Sequence, residues 1–215
     1  MEKLRVAVFD YGGVITTAVN RSVMAWLADE GIEVDGYRTT MAEWVFAETA
    51  DGTPAHRLET GELSGPEFER LLAARLRRTD GGPVVAEGLL ERMFEGMTLD
   101  DAMVQLVRDL RAAGLRTAML SNSWANHYPE DLVAELFDLS VISGEVGLRK
   151  PDSAIFQLLL ERLDTPAATV AFVDDIAHNV EGAAKLGISA VLHTDAASTR
   201  DWFAERVPAL ATGLR

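Results

Sequence analysis

The sequence predicts an α/β fold, namely a doubly wound, Rossmann-like parallel sheet with an all-helical cap inserted after the first strand. Two observations support this prediction. Short apolar runs alternate with amphipathic helical patterns, which is typical of parallel sheets covered by helices on both faces. One long interval, residues 18–97, contains helical patterns but no strand pattern. We therefore predict a core domain of residues 1–17 and 98–215 and a cap domain of residues 18–97.

Five apolar runs have the length and β-branched content of buried strands. They are "LRVAVF" (4–9), "LRTAML" (115–120), "LSVIS" (139–143), "TVAFV" (169–173) and "ISAVL" (188–192). Amphipathic segments at 99–114, 152–164 and 178–187 separate or follow them as predicted helices. For the first of these helices, Thr98 is the predicted N-cap and Gly114 the stop signal.

The predicted cap contains four helical segments, at 22–31, 41–50, 65–78 and 86–96. Ser64 followed by Glu67 forms a capping-box pattern at the start of the third segment. Glycine-rich stretches at 51–54 and 79–83 are predicted loops. A helical insertion after the first strand indicates a lid over a site on the sheet.

Composition excludes several classes of function. The chain has 20 basic and 34 acidic residues, a net charge of −14, which argues against nucleic-acid binding. No apolar run approaches the roughly 20 residues of a membrane helix, so we predict no membrane contact. The absence of cysteine excludes disulfides and thiol chemistry. The chain enters its first strand without a signal-peptide pattern, so the cytoplasm is the expected location.

Polar groups follow four of the five predicted strands. They are Asp10, Ser121 with Asn122, Lys150, and Asp174 with Asp175. Each group alone has an ordinary structural explanation, such as a helix cap, a turn or a solvated surface lysine. Because ligands of open α/β sheets bind at the carboxyl ends of the strands, the four groups together predict one binding crevice.

The residue types in this crevice favour phosphoryl transfer. Asp10 is a candidate nucleophile or metal ligand, and Asp175 is a second hard-oxygen ligand suited to Mg²⁺. Ser121 and Asn122 are candidate donors to phosphate oxygens, and Lys150 is a cation that would neutralise the transferring group. An aspartate that attacks phosphorus forms an acyl-phosphate, which water then hydrolyses.

In their order along the chain, these residues resemble the four motifs of the haloacid dehalogenase superfamily of hydrolases. The helical insertion resembles the C1-type cap of that superfamily. The resemblance is strongest to the N-terminal phosphatase domains of soluble epoxide hydrolases. It runs through "SNSW" (121–124), "GLRKPDSAIFQLLLERL" (147–163) and "FVDDIAHNVEGAAKLG" (172–187), and includes the cap stretch "LETGELSGPEF" (58–68).

The resemblance implies a role for each matching residue. Asp10 would be the nucleophile and a Mg²⁺ ligand, and Lys150 would bridge Asp10 and the phosphate. The remaining roles are a metal-binding carboxylate for Asp175, support of that carboxylate by Asp174 and Asn179, and phosphate binding for Ser121 and Asn122. Trp124 matches a tryptophan of the epoxide hydrolase group and would line the substrate side, unless it is a packed loop aromatic.

One position departs from the family pattern. Phosphatases of this family carry a second aspartate two positions after the nucleophile, whereas this chain has Gly12. Glycine keeps the backbone carbonyl that would ligate Mg²⁺ but lacks the carboxyl group that acts as general acid and base. Tyr11 is not a substitute, because adjacent side chains on a strand point to opposite faces. His127 and His56 are the candidate replacement acids, with surface histidines as the alternative explanation.

Three functional hypotheses follow. The first is a Mg²⁺-dependent phosphatase acting on a small phosphorylated molecule, as a monomer or homodimer. The second is a regulatory or non-catalytic protein that keeps the fold and the metal site, as the loss at Gly12 would allow. The third is a 2-haloacid dehalogenase, which needs no metal. Specificity is expected from the cap, where Trp44, His56 and Arg57 are side chains of unassigned position.

Overall fold

The five predicted strands form one parallel sheet in a computed structural model that describes residues 2–45, 52–124 and 128–211. The strands are β1 (Val6–Phe9), β2 (Arg116–Ser121), β3 (Leu139–Ile142), β4 (Val170–Asp174) and β5 (Ser189–Leu192). Their order in the sheet is β3-β2-β1-β4-β5, so β1 lies at the centre. Phe9 pairs in register with Met119 of β2 and with Val173 of β4. The residues that follow β1, β2 and β4 therefore emerge at one edge of the sheet.

Twelve helices are described. The helices between β1 and β2 are α1 (Val19–Asp29), α2 (Val34–Trp44), α3 (Pro54–Glu59), α4 (Gly65–Arg75), α5 (Leu89–Phe94) and α6 (Asp101–Ala112). The helices after β2 are α7 (Glu130–Leu136), α8 (Ser143–Val146), α9 (Ser153–Leu163), α10 (Ala177–Ala184), α11 (Ala196–Ala204) and α12 (Pro208–Ala211). Within the described ranges, no helix is both long and apolar enough to cross a membrane.

Helices cover both faces of the sheet, as the doubly wound prediction requires. On one face, Phe9 packs in a cluster with residues of α6, α7 and α11, including Phe203. On the other face, Val8 packs with residues of α9 and α10, including Phe156. All four residues of β1 are buried on both sides, which explains why its sequence is continuously apolar rather than alternating.

The residues from α1 to α5 form an apolar cluster of their own, separate from the two clusters on the sheet. The two segments that connect this helical unit to the sheet lie side by side. Thr17 N donates to Thr98 O at 2.7 Å, and Thr16 forms an antiparallel bridge with Leu99. The unit therefore leaves and rejoins the core at one place, although domain limits at 17/18 and 97/98 stay a prediction.

Local sequence signals in the helices gave mixed results. The capping box of Ser64 and Glu67 is confirmed. The prediction of Thr98 as the N-cap of α6 is wrong, because Asp100 caps the helix by accepting from Ala102 N and Met103 N. The wrong choice has a physical reason, since the backbone of Thr98 is engaged with Thr17 in the paired connection.

The cap helices also differ in their limits from the predicted segments. The helix predicted at 41–50 begins earlier, as α2 at Val34, and its second half lies outside the described residues. The stretch 51–54 was predicted as loop, but α3 begins at Pro54 behind the N-cap Thr53. A Thr-Pro pair is a helix-start signal that could have revealed this short helix.

Candidate active site

Asp10 lies directly after β1 and begins a tight turn. Its N–H donates to Val173 O, and Tyr11 O then accepts from Ile15 N at 2.9 Å. Gly13 has a φ of +77°, and a Cβ there would lie 2.3 Å from Asp175 Oδ2. A side chain at position 13 would therefore collide with Asp175 as well as strain the backbone. The second glycine of the pair is what allows Asp175 to approach the Asp10 turn.

Lys150 is a buried lysine held between two aspartates. Its Nζ lies 2.9 Å from Asp10 Oδ1 and 2.6 Å from Asp174 Oδ2. Burial disfavours the charge, but the carboxylates of Asp10 and Asp174 outweigh it and raise the pKa of Lys150. The side chain of Lys150 is therefore a permanent cation beside Asp10.

Asn122 fixes the backbone of this lysine. Its Nδ2 donates to Lys150 O at 3.1 Å, and Lys150 N donates to its Oδ1 at 2.9 Å. The side-chain amide that was predicted to bind phosphate is thus engaged with the Lys150 backbone. This arrangement gives Asn122 a supporting role that the sequence did not indicate, and its contact with phosphate stays a prediction.

Asp174 is completely buried and surrounded by donors. Besides Lys150, its carboxylate accepts from Ile176 N at 2.8 Å and from Asn179 Nδ2 at 2.9 and 3.1 Å. These bonds satisfy a charge that would otherwise be costly to bury. Asn179 thus contacts Asp174, and the support of Asp175 by these two residues stays a prediction.

Asp10, Asp174 and Asp175 form a carboxylate cluster in which one oxygen atom from each residue lies within 4.8 Å of the other two. Burial raises the pKa of Asp10 to about 7, with Lys150 opposing the shift and Asp174 and Asp175 adding to it. Burial and the charge of Asp174 raise the pKa of Asp175 to about 6. Three carboxylates facing one ammonium leave an excess of negative charge that a cation would compensate.

The donor chemistry of this cluster fits Mg²⁺, which prefers carboxylate and carbonyl oxygens together with water and substrate phosphate. Asp174 is the carboxylate with the most hydrogen-bond donors around it. Asp10 and Asp175 are therefore the better placed of the three to hold a cation. Gly12 belongs to the same turn and lines the same pocket, and ligation by its carbonyl stays a prediction.

Ser121 is the last residue of β2 and is nearly completely buried. Its Oγ accepts a hydrogen bond from Tyr128 OH at 3.1 Å. It lines the same pocket as Asp10 and Lys150, as predicted from the ends of the strands. The hydroxyl is thus oriented by a neighbouring phenol at the position where the resemblance implies phosphate binding.

A pocket of about 460 Å³ lies between the sheet edge and the helices α1, α2 and α5. Its sheet side is mostly polar, with Asp10, Gly12, Ser121, Asn122, Lys150, Asp175 and Asn179 among the lining residues, beside the apolar Ile176. Its cap side is mostly apolar, with Val19, Val23, Met41, Met93, Phe94 and Met97 among the lining residues. The polar or ionisable exceptions on the cap side are Asn20, Tyr37, Arg38 and Glu59.

Three predicted candidates, His56, Trp44 and Arg57, do not line this pocket. His56 is buried within the cap, with its Nε2 3.4 Å from Val45 O, and it is not among the lining residues. Trp44 packs on Phe68, and neither it nor Arg57 lines the pocket. His127 lies outside the described residues.

Both interpretations of Trp124 hold. It lines the pocket, and it also packs edge-to-face on Phe68 and Phe94.

Two further lining residues, Tyr37 and Glu59, could not be predicted from the sequence. A helical pattern does not indicate which residues of a lid face a site on another unit. Glu59 does lie inside the quoted cap stretch 58–68, which was the available hint.

A family model described as haloacid dehalogenase-like hydrolase matches residues 4–187. The chain is 27% identical over 208 residues to bifunctional epoxide hydrolase 2 of Sus scrofa, covering 89% of this chain and 37% of that protein. It is 28% identical to the sesquiterpene phosphatase astK of Aspergillus oryzae, covering 91% and 92%. It is 30% identical to (S)-2-haloacid dehalogenase 1 of Pseudomonas sp., covering 89% and 85%. The chain spans less than two fifths of the length of the first curated relatives it matches.

A solved structure of similar fold is a haloacid dehalogenase family enzyme from Bacteroides thetaiotaomicron, in complex with magnesium and inorganic phosphate. The two folds superpose with a TM-score of 0.65, at 19% identity, over 89% of this chain and 94% of the other. At this level of identity the match establishes a common fold.

Proposed function

Because this chain belongs to the haloacid dehalogenase-like hydrolases, we propose that it is a Mg²⁺-dependent phosphatase that cleaves a phosphate monoester through an aspartyl-phosphate on Asp10. One observation carries the proposal. Asp10 contacts Lys150 at 2.9 Å and faces the same pocket as Ser121 and Asp175. A carboxylate, a buried ammonium, a hydroxyl and a second carboxylate thus converge on one polar surface, which supports these roles.

In the proposed reaction, a carboxylate oxygen of Asp10 attacks the phosphorus, and the ester oxygen leaves with its bonding electron pair. Ser121 and Lys150 would hold the phosphoryl oxygens, with Lys150 offsetting their negative charge. Water then attacks the phosphorus of the acyl-phosphate, which releases inorganic phosphate and restores Asp10. Mg²⁺, held by Asp10, Asp175 and the Gly12 carbonyl, would supply further positive charge at the phosphate when bound.

The leaving oxygen needs a proton when it is an alkoxide, and Gly12 offers none. His56 is confined to the interior of the cap. Burial raises the pKa of Tyr37, a lining residue, to about 12, which makes it a weak proton donor. Among the residues that the structure describes, these observations favour phosphate monoesters whose leaving group is stable without protonation, such as aryl phosphates.

The organic part of the proposed substrate is apolar. This proposal is supported by the methionine, valine and phenylalanine side chains on the cap side of the pocket. It is also supported by the similarity to a protein named as a sesquiterpene phosphatase, since a sesquiterpene is an isoprenoid hydrocarbon. A small hydrophilic ester would leave this apolar surface in contact with water.

We expect kcat/KM to rise with chain length along a series of n-alkyl phosphates, measured as released inorganic phosphate. The gain has an upper limit of about fourfold per methylene, because burial of one methylene contributes about 0.8 kcal/mol. Met97→Gln, which changes the lining, is expected to weaken this dependence, whereas Leu71→Gln on the cap exterior leaves it unchanged. A preference for glycerol phosphate or glucose phosphate over octyl phosphate would refute the apolar substrate.

We expect Mg²⁺ to raise the thermal unfolding temperature of the protein without any substrate. At about 100 times the dissociation constant, the rise should be about 5–10 °C for a chain of this size. Asp175→Asn should lose most of this shift, because it removes a proposed ligand. The control is Asp201→Asn, an exposed aspartate of α11, which should shift as the unchanged protein does. Equal shifts in the two variants would argue against Asp175 as a ligand.

Experiments can distinguish two alternative functions from the proposed phosphatase activity. The similarity to a haloacid dehalogenase favours testing chloride release from 2-chloropropionate without metal, which would establish dehalogenation. The carboxylate cluster instead supports a cation-dependent reaction.

The absence of an acid at Gly12 favours testing for a non-catalytic role. Mg²⁺ binding without turnover of any phosphate ester would support that role and sink the phosphatase proposal.

A further inference from the structure

Glu59, the last residue of α3, reaches from the cap to two loops of the core. Its Oε1 accepts from Trp124 Nε1 at 2.9 Å, and its Oε2 accepts from Arg149 Nε at 2.6 Å. The side chains of Glu59 and Arg149 are only 5% and 14% exposed. Both oxygens of a nearly buried carboxylate are therefore bound by core residues, which is unlike the exposed ion pairs elsewhere on the surface.

The backbone of Glu59 also contacts the core. Glu59 O accepts from Ser143 Oγ at 2.5 Å, and Ser143 Oγ accepts in turn from Ser123 N at 2.8 Å. A Cβ on Gly61, which has a φ of +77°, would lie 2.7 Å from Gly144 O. The end of α3 thus lies in direct backbone contact with the start of α8.

The two core loops that Glu59 joins are the loops that carry predicted phosphate-binding groups. Trp124 comes two residues after Asn122, and Arg149 immediately precedes Lys150. Asn122 and Lys150 are themselves linked by two hydrogen bonds. One carboxylate of the cap therefore contacts both halves of the unit that holds Lys150 against Asp10.

Trp124 also connects the cap to the core, through apolar contacts. Its ring comes from the core but packs among cap residues, with centroid distances of 5.2 Å to Phe68 and 6.4 Å to Phe94. It also forms part of the pocket wall. Separation of the cap from the core would withdraw Trp124 from this aromatic cluster and remove one side of the pocket.

We infer that Glu59 is a positioning residue that docks the closed cap on the core through Arg149 and Trp124, and so keeps Lys150 aligned with Asp10. A charged pair suits a contact that must open, because both groups regain water on separation and the desolvation penalty of burying them is recovered. An apolar contact of the same area would instead expose hydrophobic surface to water when the cap opens, and no rehydration of charged groups would offset that cost. The docking role stands on geometry alone, whereas its consequence for turnover rests on the proposed phosphatase activity.

Distance measurement between two spin labels tests the docking role directly. The chain has no cysteine, so Val85→Cys on the cap and Leu192→Cys on the core, 58% and 44% exposed, take labels at defined positions. In this background Glu59→Gln keeps the shape and the acceptor for Trp124 but removes the charge that pairs with Arg149. We expect a shift of the cap–core distance distribution to longer values, and a loss in kcat/KM of about tenfold.

Matched variants separate this role from a general loss of stability. Glu62→Gln, three residues beyond Glu59 in the loop that follows α3 and 67% exposed, should leave the distances unchanged. Arg149→Met should reproduce the shift of Glu59→Gln, and the double variant should add nothing to either. Circular dichroism checks the fold, and Arg149→Met carries the test if Glu59→Gln does not fold.

The outcomes for the inference and for the proposed function are distinguishable. Unchanged distances in either folded single variant overturn the docking role, whatever the activity. Longer distances in a protein that hydrolyses no phosphate ester support the docking role and count against the phosphatase alone. Longer distances in Glu62→Gln as well would overturn the inference, because the effect would not depend on the Glu59 pair.

Discussion

Asp10→Asn is expected to lower phosphate release by about 10⁴-fold or more, which is the scale seen when a covalent nucleophile is removed. Asparagine has nearly the volume of aspartate and can still accept from Lys150, but its amide does not attack phosphorus. The fold should persist, because the change removes one of three clustered carboxylates while Asp174 still pairs with Lys150. Steady-state phosphate release measures the loss, and thermal unfolding confirms the fold.

A second readout assigns the loss to covalent chemistry. Acid quenching during turnover should trap a phosphoryl group on the peptide that contains Asp10, and mass spectrometry should find none in the Asp10→Asn variant. Asp201→Asn, an exposed aspartate, controls for a general effect of charge removal. Turnover within tenfold of the unchanged protein would show that another group is the nucleophile.

Gly12→Asp is expected to raise the turnover of alkyl phosphates by about 100-fold, since general acid–base catalysis contributes roughly 10² to 10⁴. The site has room for the change. A Cβ on Gly12 would lie 3.6 Å from Val19 Cγ2, an ordinary contact, and Gly12 is not among the glycines with positive φ. Aryl phosphates should gain little, because their leaving oxygen needs no proton.

Gly12→Asn is the matched control for this gain, because it has the same size without a transferable proton. The measurement is the dependence of kcat on the leaving-group pKa, which should flatten only in the aspartate variant. Equal rates in the two variants, or a fall in both, would mean that another acid already serves the site or that the pocket does not accept a side chain there.

The sequence predicted the part of the site that depends on strand ends. Asp10, Ser121 and Asp174 converge because β1, β2 and β4 are parallel neighbours, and a parallel sheet brings the ends of its strands to one edge. Lys150 follows β3, the strand beside β2, and reaches both aspartates from there. Periodicity and strand length were enough for that prediction. The positive φ of Gly13 fits the general preference of glycine for tight turns, but its close approach to Asp175 depends on the packing of two distant segments.

Side-chain partners across the cap and the core were not predictable in this way. Whether His56 faces the pocket or the cap interior depends on how α3 sits on its neighbours, and helical periodicity carries no information about that packing. The amide of Asn122 binds the Lys150 backbone because of a loop approach between distant segments. The choice of Asp100 over Thr98 as a cap was decided by the pairing of the two connecting segments.

The central place of β1 has a consequence for the order of folding. β1 precedes the other four strands of the sheet along the chain, yet its partners Arg116–Met119 and Val170–Val173 come much later. Such non-local pairing is slow to form, so the helical unit with its own apolar cluster is complete well before β1 can be covered. Asp10 meets Lys150 and Asp174 only when β1 closes between β2 and β4. Assembly of the site thus belongs to the final steps of folding, which pulse-labelled hydrogen exchange would register as late protection of residues 6–9.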